Sequence, residues 1–133
     1  MFSHVTLGVN DLDASIVFYD GVMKVLGYER HSRCESFAGY GRTDDAMSEI
    51  NSLWILKPAN GKPASGGNGT NIAFNAPDRK TVREFHRVAI KLGGTDDGLP
   101  GIREEAHTNF YAAYVIDLDG NKLVAVCHRD EKE

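Results

Sequence analysis

The chain has 133 residues, 41% of them apolar, and its 19 acidic against 15 basic side chains leave a net charge of −4. That length suits one compact domain, or two half-domains sharing one core, and the acidic balance with no cluster of Lys and Arg among aromatics argues against nucleic acid as a partner. No apolar run approaches the roughly 20 residues that span a bilayer, and the start MFSHVTLGVND lacks the basic flank and apolar core of a signal peptide, so a soluble, cytoplasmic protein with no membrane partner is expected.

The first segment alternates, with Val5, Leu7 and Val9 on one face of a strand and His4, Thr6 and Gly8 on the other. Asn10-Asp11-Leu12-Asp13 then offers side chains that cap a helix start. The stripe Phe18, Val22, Val25 and Leu26 follows at helical spacing, and Gly27 suits the stop, where a positive φ is cheap. Shorter strands are predicted at Glu29 to Cys34, Phe37 to Gly41 and Leu53 to Leu56. Cys34 and Cys127 lack metal-type spacing and read as free thiols of a reducing compartment. The stretch 58–69, with Pro58, Pro63 and several glycines, reads as a linker, since no Lys-Ser/Thr follows its glycines as a phosphate loop would need.

Beyond the linker the pattern starts again. Asn71 to Gly94 matches His4 to Gly27 at an offset of 67 positions (71 − 4), with Asp11 on Asp78, Phe18 on Phe85, Lys24 on Lys91 and Gly27 on Gly94. Ile72 and Phe74 form a strand face, Pro77-Asp78 the break, and Val82, Phe85, Ala89 and Leu92 the helix stripe. Strands are predicted at Ile102 to Glu104, Phe110 to Ile116 and Lys122 to Cys127. Asp117 to Asn121 is a hairpin turn, because its glycine comes too early for a calcium loop and no bidentate Glu follows. The organisation is therefore a βαβββ module over 1–57, the linker over 58–69, a second βαβββ module over 70–128 and a charged tail over 129–133.

The segments HVTLGVNDLDASIVFYDGVMKVLGY (His4 to Tyr28), GTNIAFNAPDRKTVREFH (Gly69 to His86) and YAAYVIDLDGNKLVAVCH (Tyr111 to His128) resemble the vicinal oxygen chelate superfamily of glyoxalases, bleomycin resistance proteins and extradiol dioxygenases. The resemblance implies an α+β fold of two βαβββ modules forming a cup-shaped mixed sheet, commonly as a homodimer, with one small-molecule site in the cup. It also implies one divalent metal held by inward His and Glu side chains, which would orient two neighbouring substrate oxygens.

This sequence departs from that ligand set. His4 stands at the first ligand position, but Asn71 replaces the usual His of the second half and Val124 the last-strand Glu, while Asn51 to Lys57 offers no His, Asp, Glu or Cys. One imidazole lacks the charge and denticity for tight divalent binding. No cofactor is therefore expected, with a divalent metal as the alternative if His107 and His128 came to its rescue. The resemblance implies, by the family's strand parity, that Tyr114 and Ala112 face into the cup and Tyr111 packs outward. The substrate-binding candidates are His4, Trp54, Asn71, His107, Ala112, Tyr114 and Val124, and the catalytic candidates are His4, His107 and Tyr114. Trp54 reads equally as core, and His107 equally as a loop residue capped by Thr108 or Asn109. Two functions follow: a metal-independent binder of a small, apolar or aromatic molecule, or a lyase, isomerase or dioxygenase with altered or metal-free acid–base chemistry. A cup filled by its own side chains, Val124 and Val126 among them, is a third reading, and Thr43 to Asn51 is the loop expected to tune specificity.

Overall fold

The structure is a computed structural model that describes residues 1–42 and 51–131. Of the loop expected to tune specificity, only Asn51 lies within the described residues. The first module comprises β1 (His4–Gly8), α1 (Leu12–Val25), β2 (Glu29–Arg33), β3 (Phe37–Gly41) and β4 (Ser52–Leu56). The second comprises β5 (Asn71–Asn75), α2 (Arg79–Lys91), β6 (Thr95–Ile102), β7 (Tyr111–Ile116) and β8 (Lys122–Cys127). Each module builds its own mixed four-stranded sheet, ordered β1-β4-β3-β2 and β5-β8-β7-β6, in which the first strand runs parallel to the last.

The helices start where their caps dictate. The Asp11 side chain accepts from Ala14 N at 3.1 Å, and Asp78 accepts from Thr81 N at 2.7 Å, each satisfying an amide that the first helical turn leaves without a partner. The two caps keep the 67-residue offset, but the helix ends do not. α1 has 14 residues and α2 has 13, so the glycine with positive φ that follows Leu26 is Gly27 (φ 91°), whereas the one that follows Leu92 is Gly93 (φ 101°), 66 positions on (93 − 27). The matches of Lys24 with Lys91 and Gly27 with Gly94 are thus coincidences of composition rather than structural equivalents. The deleted residue is absorbed within the helix, which a left-handed glycine then closes.

One predicted strand needs correction. Ile102 to Glu104 was expected, but β6 spans Thr95–Ile102, through the run TDDGLPGI. Two aspartates, two glycines and a proline oppose regular strand structure, and the register with β7 slips twice, between Asp96 and Gly98 and between Gly98 and Gly101. The strand survives because it is the sheet edge, where Pro100 breaks no inner ladder.

The two modules share one apolar core. Phe18 and Phe85, both fully buried, lie in it with Tyr19, Val22, Val82, Val115 and Leu123, each such side chain contributing about 1.5–3 kcal/mol by leaving water. A polar clamp adds direction. The Asp117 carboxylate accepts from Tyr19 Oη at 2.5 Å and from the amides of Asp119 and Asn121, both at 2.8 Å. Asp119 accepts from Asn10 N at 3.0 Å and Ser15 Oγ at 3.3 Å, and Asn121 Nδ2 donates to Gly8 O at 2.9 Å. The β7–β8 turn of one module is therefore the dock for β1 and α1 of the other. The linker is clamped beside it, since Ala64 N donates to Asn10 Oδ1 at 2.6 Å and a Cβ on Gly66 would collide with Gly120 O.

Candidate functional site

Alternation gives each sheet one face for its helix and one facing away from it. On the second sheet Tyr111, Ala113 and Val115 belong to the helix-side core, while Ala112, Val124 and Val126 form a separate buried patch covered by Phe110 and Tyr114. Ala73, Val124 and Tyr114 stand in one row across β5, β8 and β7. Two cations approach the half-buried Tyr114 ring: Arg103 at 5.3 Å and Lys122 at 5.1 Å from its centroid, with Lys122 also paired to Asp97 at 2.8 Å. Asn71 is exposed at the start of β5.

His107 lies at the edge of this patch, bound to a partner that ends the same sheet. Its Nε2 is 2.8 Å from His128 Nδ1, the rings stack with centroids 5.1 Å apart, and Phe110 meets both rings edge-on. The backbone N–H of Asn109 donates to His107 Nδ1 at 3.1 Å. That acceptor role leaves Nε2 as the protonated nitrogen of a neutral His107, so Nε2–H donates to His128. The pair fastens the loop before β7 to the residue that follows β8.

The first sheet carries its own cluster. Trp54 on β4 is half-buried and meets His31 edge-on at 5.3 Å and Phe37 at 5.7 Å. His31 Nε2 is 2.8 Å from Ser52 Oγ and its Nδ1 is 2.8 Å from Ser32 Oγ. His4 stands beside Ser52 in the β1–β4 register, exposed, with Nδ1 2.8 Å from Ser3 Oγ. Both His4 and Ser52 line a cavity of about 180 Å³ between β1, β4 and β5, which Tyr40, Ala73 and Phe74 also border.

Tyr114, Ala112 and Val124 therefore come together, with His107 beside them through Phe110, whereas Trp54 and His4 belong to the first sheet. His31 and Ser52 were absent from the candidates. Their signal was the glycine pair Gly39 and Gly41 on one face of β3: a Cβ at Gly39 would lie 2.3 Å from Trp54 Cζ3 and 2.8 Å from His31 Cε1, so the bare strand is the floor over which both rings reach. Arg103 and Lys122 were missed as well, because nothing in their local pattern ties them to Tyr114.

A family model described as glyoxalase/bleomycin resistance protein/dioxygenase superfamily matches residues 1–124. The chain belongs to that superfamily. The glyoxalase-superfamily chain is similar to the crystal structure of a glyoxalase/bleomycin resistance protein from Albidiferax ferrireducens T118, at 37% identity over 97% of this chain and 99% of that one, with a TM-score of 0.84. More distant likenesses show the fold alone. They include a lactoylglutathione lyase from Agrobacterium tumefaciens, at 20% identity, 96% and 92% coverage and TM-score 0.63, and the fosfomycin resistance protein FosX from Mesorhizobium loti, at 19%, 96% and 91%, and 0.65. No curated protein matches the chain.

The superfamily metal can be tested against these positions. Val124 pairs with Ala73, two residues after Asn71, and by the same rule Trp54 pairs with Thr6, two residues after His4. The four corresponding positions thus hold His4, Trp54, Asn71 and Val124: one imidazole, an indole, a neutral amide and an isopropyl group. Val124 is only 2% exposed and lies among Ala112, Val126, Phe110 and Tyr114. Such a donor set does not fit a catalytic divalent ion, which needs about three N, O or S ligands from the protein. Among the described residues no group of three or more His, Cys, Asp or Glu side chains is placed to share one.

Proposed function

We propose that this glyoxalase-superfamily protein is a metal-independent binder of a small, apolar or aromatic organic molecule. One observation carries the reading: three of the four positions that would hold the superfamily metal carry Trp54, Asn71 and Val124, so the walls supply packing surface and a few hydrogen bonds instead of charge. Tyr114, Ala112, Val124 and His107 would form one wall, and Trp54, Asn71 and His4 would complete it. A second copy of the chain as partner is part of this proposal, as is residence in the cytoplasm. Among the described residues no helix is long and apolar enough to cross a membrane.

The test is metal content after purification, followed by thermal-shift screening of aromatic and apolar ligands. Metal-free protein stabilised by such a ligand, with the gain lost in Tyr114→Ala, supports the reading. Stoichiometric metal held through His4 overturns it. The second reading is metal-free acid–base catalysis of the lyase or isomerase type, which His4 favours because its ring lines a cavity instead of the core. Turnover of a methylglyoxal–glutathione hemithioacetal by metal-free protein, lost in His4→Gln, would select it over simple binding. Light scattering on the purified chain checks the dimer.

A further inference from the structure

We propose that Ser52 is a nucleophile activated by His31, and that the first sheet hydrolyses small activated esters through an acyl-serine. Three independent features of the fold converge on this pair. Ser52 Oγ and His31 Nε2 are 2.8 Å apart, the separation at which a hydroxyl hands its proton to an imidazole, and Ser32 Oγ at 2.8 Å from Nδ1 holds the ring in plane from its other side. This is the arrangement of nucleophile, base and orienting group, with a hydroxyl as the third member.

The strand between them is cleared for the contact. His31 comes from β2 and Ser52 from β4, so the imidazole crosses β3, and it can do so only because Gly39 has no side chain: a Cβ there would stand 2.8 Å from His31 Cε1. His31 is also the residue at which the β2–β3 register shifts, between Arg30 and Ser32. The extra residue sets two successive side chains, His31 and Ser32, on the Gly39 face, which brings the Ser32 hydroxyl beside the ring. A serine that needed only a satisfied hydroxyl would not require both a bulge and a bare strand.

The third feature is access. Ser52 is largely buried, yet it borders the cavity of about 180 Å³ that His4 also lines, and the β1–β4 register sets the two side by side. Drug-sized ligands occupy sites of about 300–1,000 Å³, so this space takes a short acyl group and little more.

The chemistry balances with water alone. Ser52 Oγ attacks the ester carbonyl carbon while its proton passes to His31 Nε2. The C–O bond to the alcohol breaks, and the departing oxygen takes that proton, leaving acyl-Ser52. A water then attacks the acyl carbon as His31 accepts its proton, and the proton returns to Ser52 Oγ as the carboxylic acid leaves.

This inference uses the first-sheet wall of the binding reading, but the two fail separately. The experiment is stopped-flow release of nitrophenolate from p-nitrophenyl acetate, with mass spectrometry of the acylated peptide, in a Cys34→Ser background. That substitution removes an exposed thiol whose ordinary value is lowered by the hydroxyl of Ser36 and which would compete for the ester. The expected result is a stoichiometric burst with the acetyl group on Ser52, abolished in Ser52→Ala and slowed about 100-fold or more in His31→Gln. Circular dichroism melts of both variants near the parent's show that the fold is kept, and a fluorophosphonate that labels Ser52 in the parent supplies a readout free of turnover. A burst undiminished in Ser52→Ala, an acetyl group found elsewhere, or no burst and no phosphonate label in the parent overturns the proposal. Ligand stabilisation that persists in Ser52→Ala would show that the binding reading stands regardless of this result.

Discussion

Replacing Gly39 by alanine tests the crowding on which the first-sheet cluster depends. The new Cβ would lie 2.3 Å from Trp54 Cζ3, 2.6 Å from Cε3 and 2.8 Å from His31 Cε1, where ordinary contact begins at 3.4 Å, so the indole edge must retreat by about 1.1 Å (3.4 − 2.3). Overpacking of this kind costs about 1–3 kcal/mol. Alanine also narrows the unfolded ensemble at an extended position, which offsets about 0.4–1 kcal/mol. The net loss lies between about 0 and 2.6 kcal/mol, with a midpoint of about 1.3 kcal/mol. Trp54 is the sole tryptophan, so its fluorescence reports the site without dissection. In urea the midpoint should fall with an unchanged m-value, and the native emission should shift to the red as the half-buried indole swings into water. Removing the offending ring atoms with Trp54→Leu should make the alanine nearly free, an interaction that a double-mutant cycle isolates. A Gly39→Ala protein with parental stability and parental emission would refute the crowding argument, and with it the account of how His31 reaches Ser52.

Burial, followed by the neighbouring Asp117 carboxylate, raises the Tyr19 phenol well above its ordinary value of 10.0; burial, followed by the hydrogen bond to Asp20, raises Tyr40 likewise. Both groups therefore contribute stability that is complete below pH 10 and is lost as pH climbs toward their folded values, at up to about 1.4 kcal/mol per pH unit for each. Urea titrations across that range should show the decline, and Tyr19→Phe with Tyr40→Phe should flatten it; a slope unchanged in the double variant contradicts the assignment. Asp117→Ala should cost about 2–6 kcal/mol, because it strands the buried Tyr19 hydroxyl and the Asn121 amide, and each unsatisfied donor costs about 1–3 kcal/mol. Chemical denaturation followed by circular dichroism measures this, and a loss below about 1 kcal/mol would show that the clamp is dispensable. Asn71→His with Val124→Glu should destabilise the metal-free chain, since the carboxylate enters the apolar patch, and should add Ni or Zn affinity detectable by calorimetry, stabilising by about 2.7 kcal/mol at 100-fold excess over Kd. Unchanged affinity would show that these positions do not converge as ligand positions.

What the sequence revealed followed from local chemistry. Asp11 and Asp78 marked both helix starts because a carboxylate before an amphipathic run has one favoured use. The parity of Tyr111 against Tyr114 came with the family resemblance, and it holds because β7 runs without interruption between β6 and β8, where an inner strand with one buried apolar face tolerates no slip. Legibility failed wherever the backbone breaks period. β6 was lost among its aspartates, glycines and proline, and the bulge at His31 set two successive side chains, His31 and Ser32, on one face where alternation would have parted them. The Asp117 turn was read as a hairpin, which it is, but its carboxylate serves a helix 98 residues earlier in the chain. No window on the sequence contains both partners.

That separation also sets an order of events. The bonds of Tyr19, Ser15 and Asn10 to the β7–β8 turn span 98, 104 and 109 residues, so on a ribosome the first helix is made long before any of its polar partners exists. Long-range closure of this kind slows folding, because the loop entropy is spent before the contact forms. The N-terminal half must wait, with one flank of its helix uncovered, until the β7–β8 turn has emerged. Its exposure to aggregation is accordingly greatest during synthesis, and the pairing of β7 with β8 is what ends it.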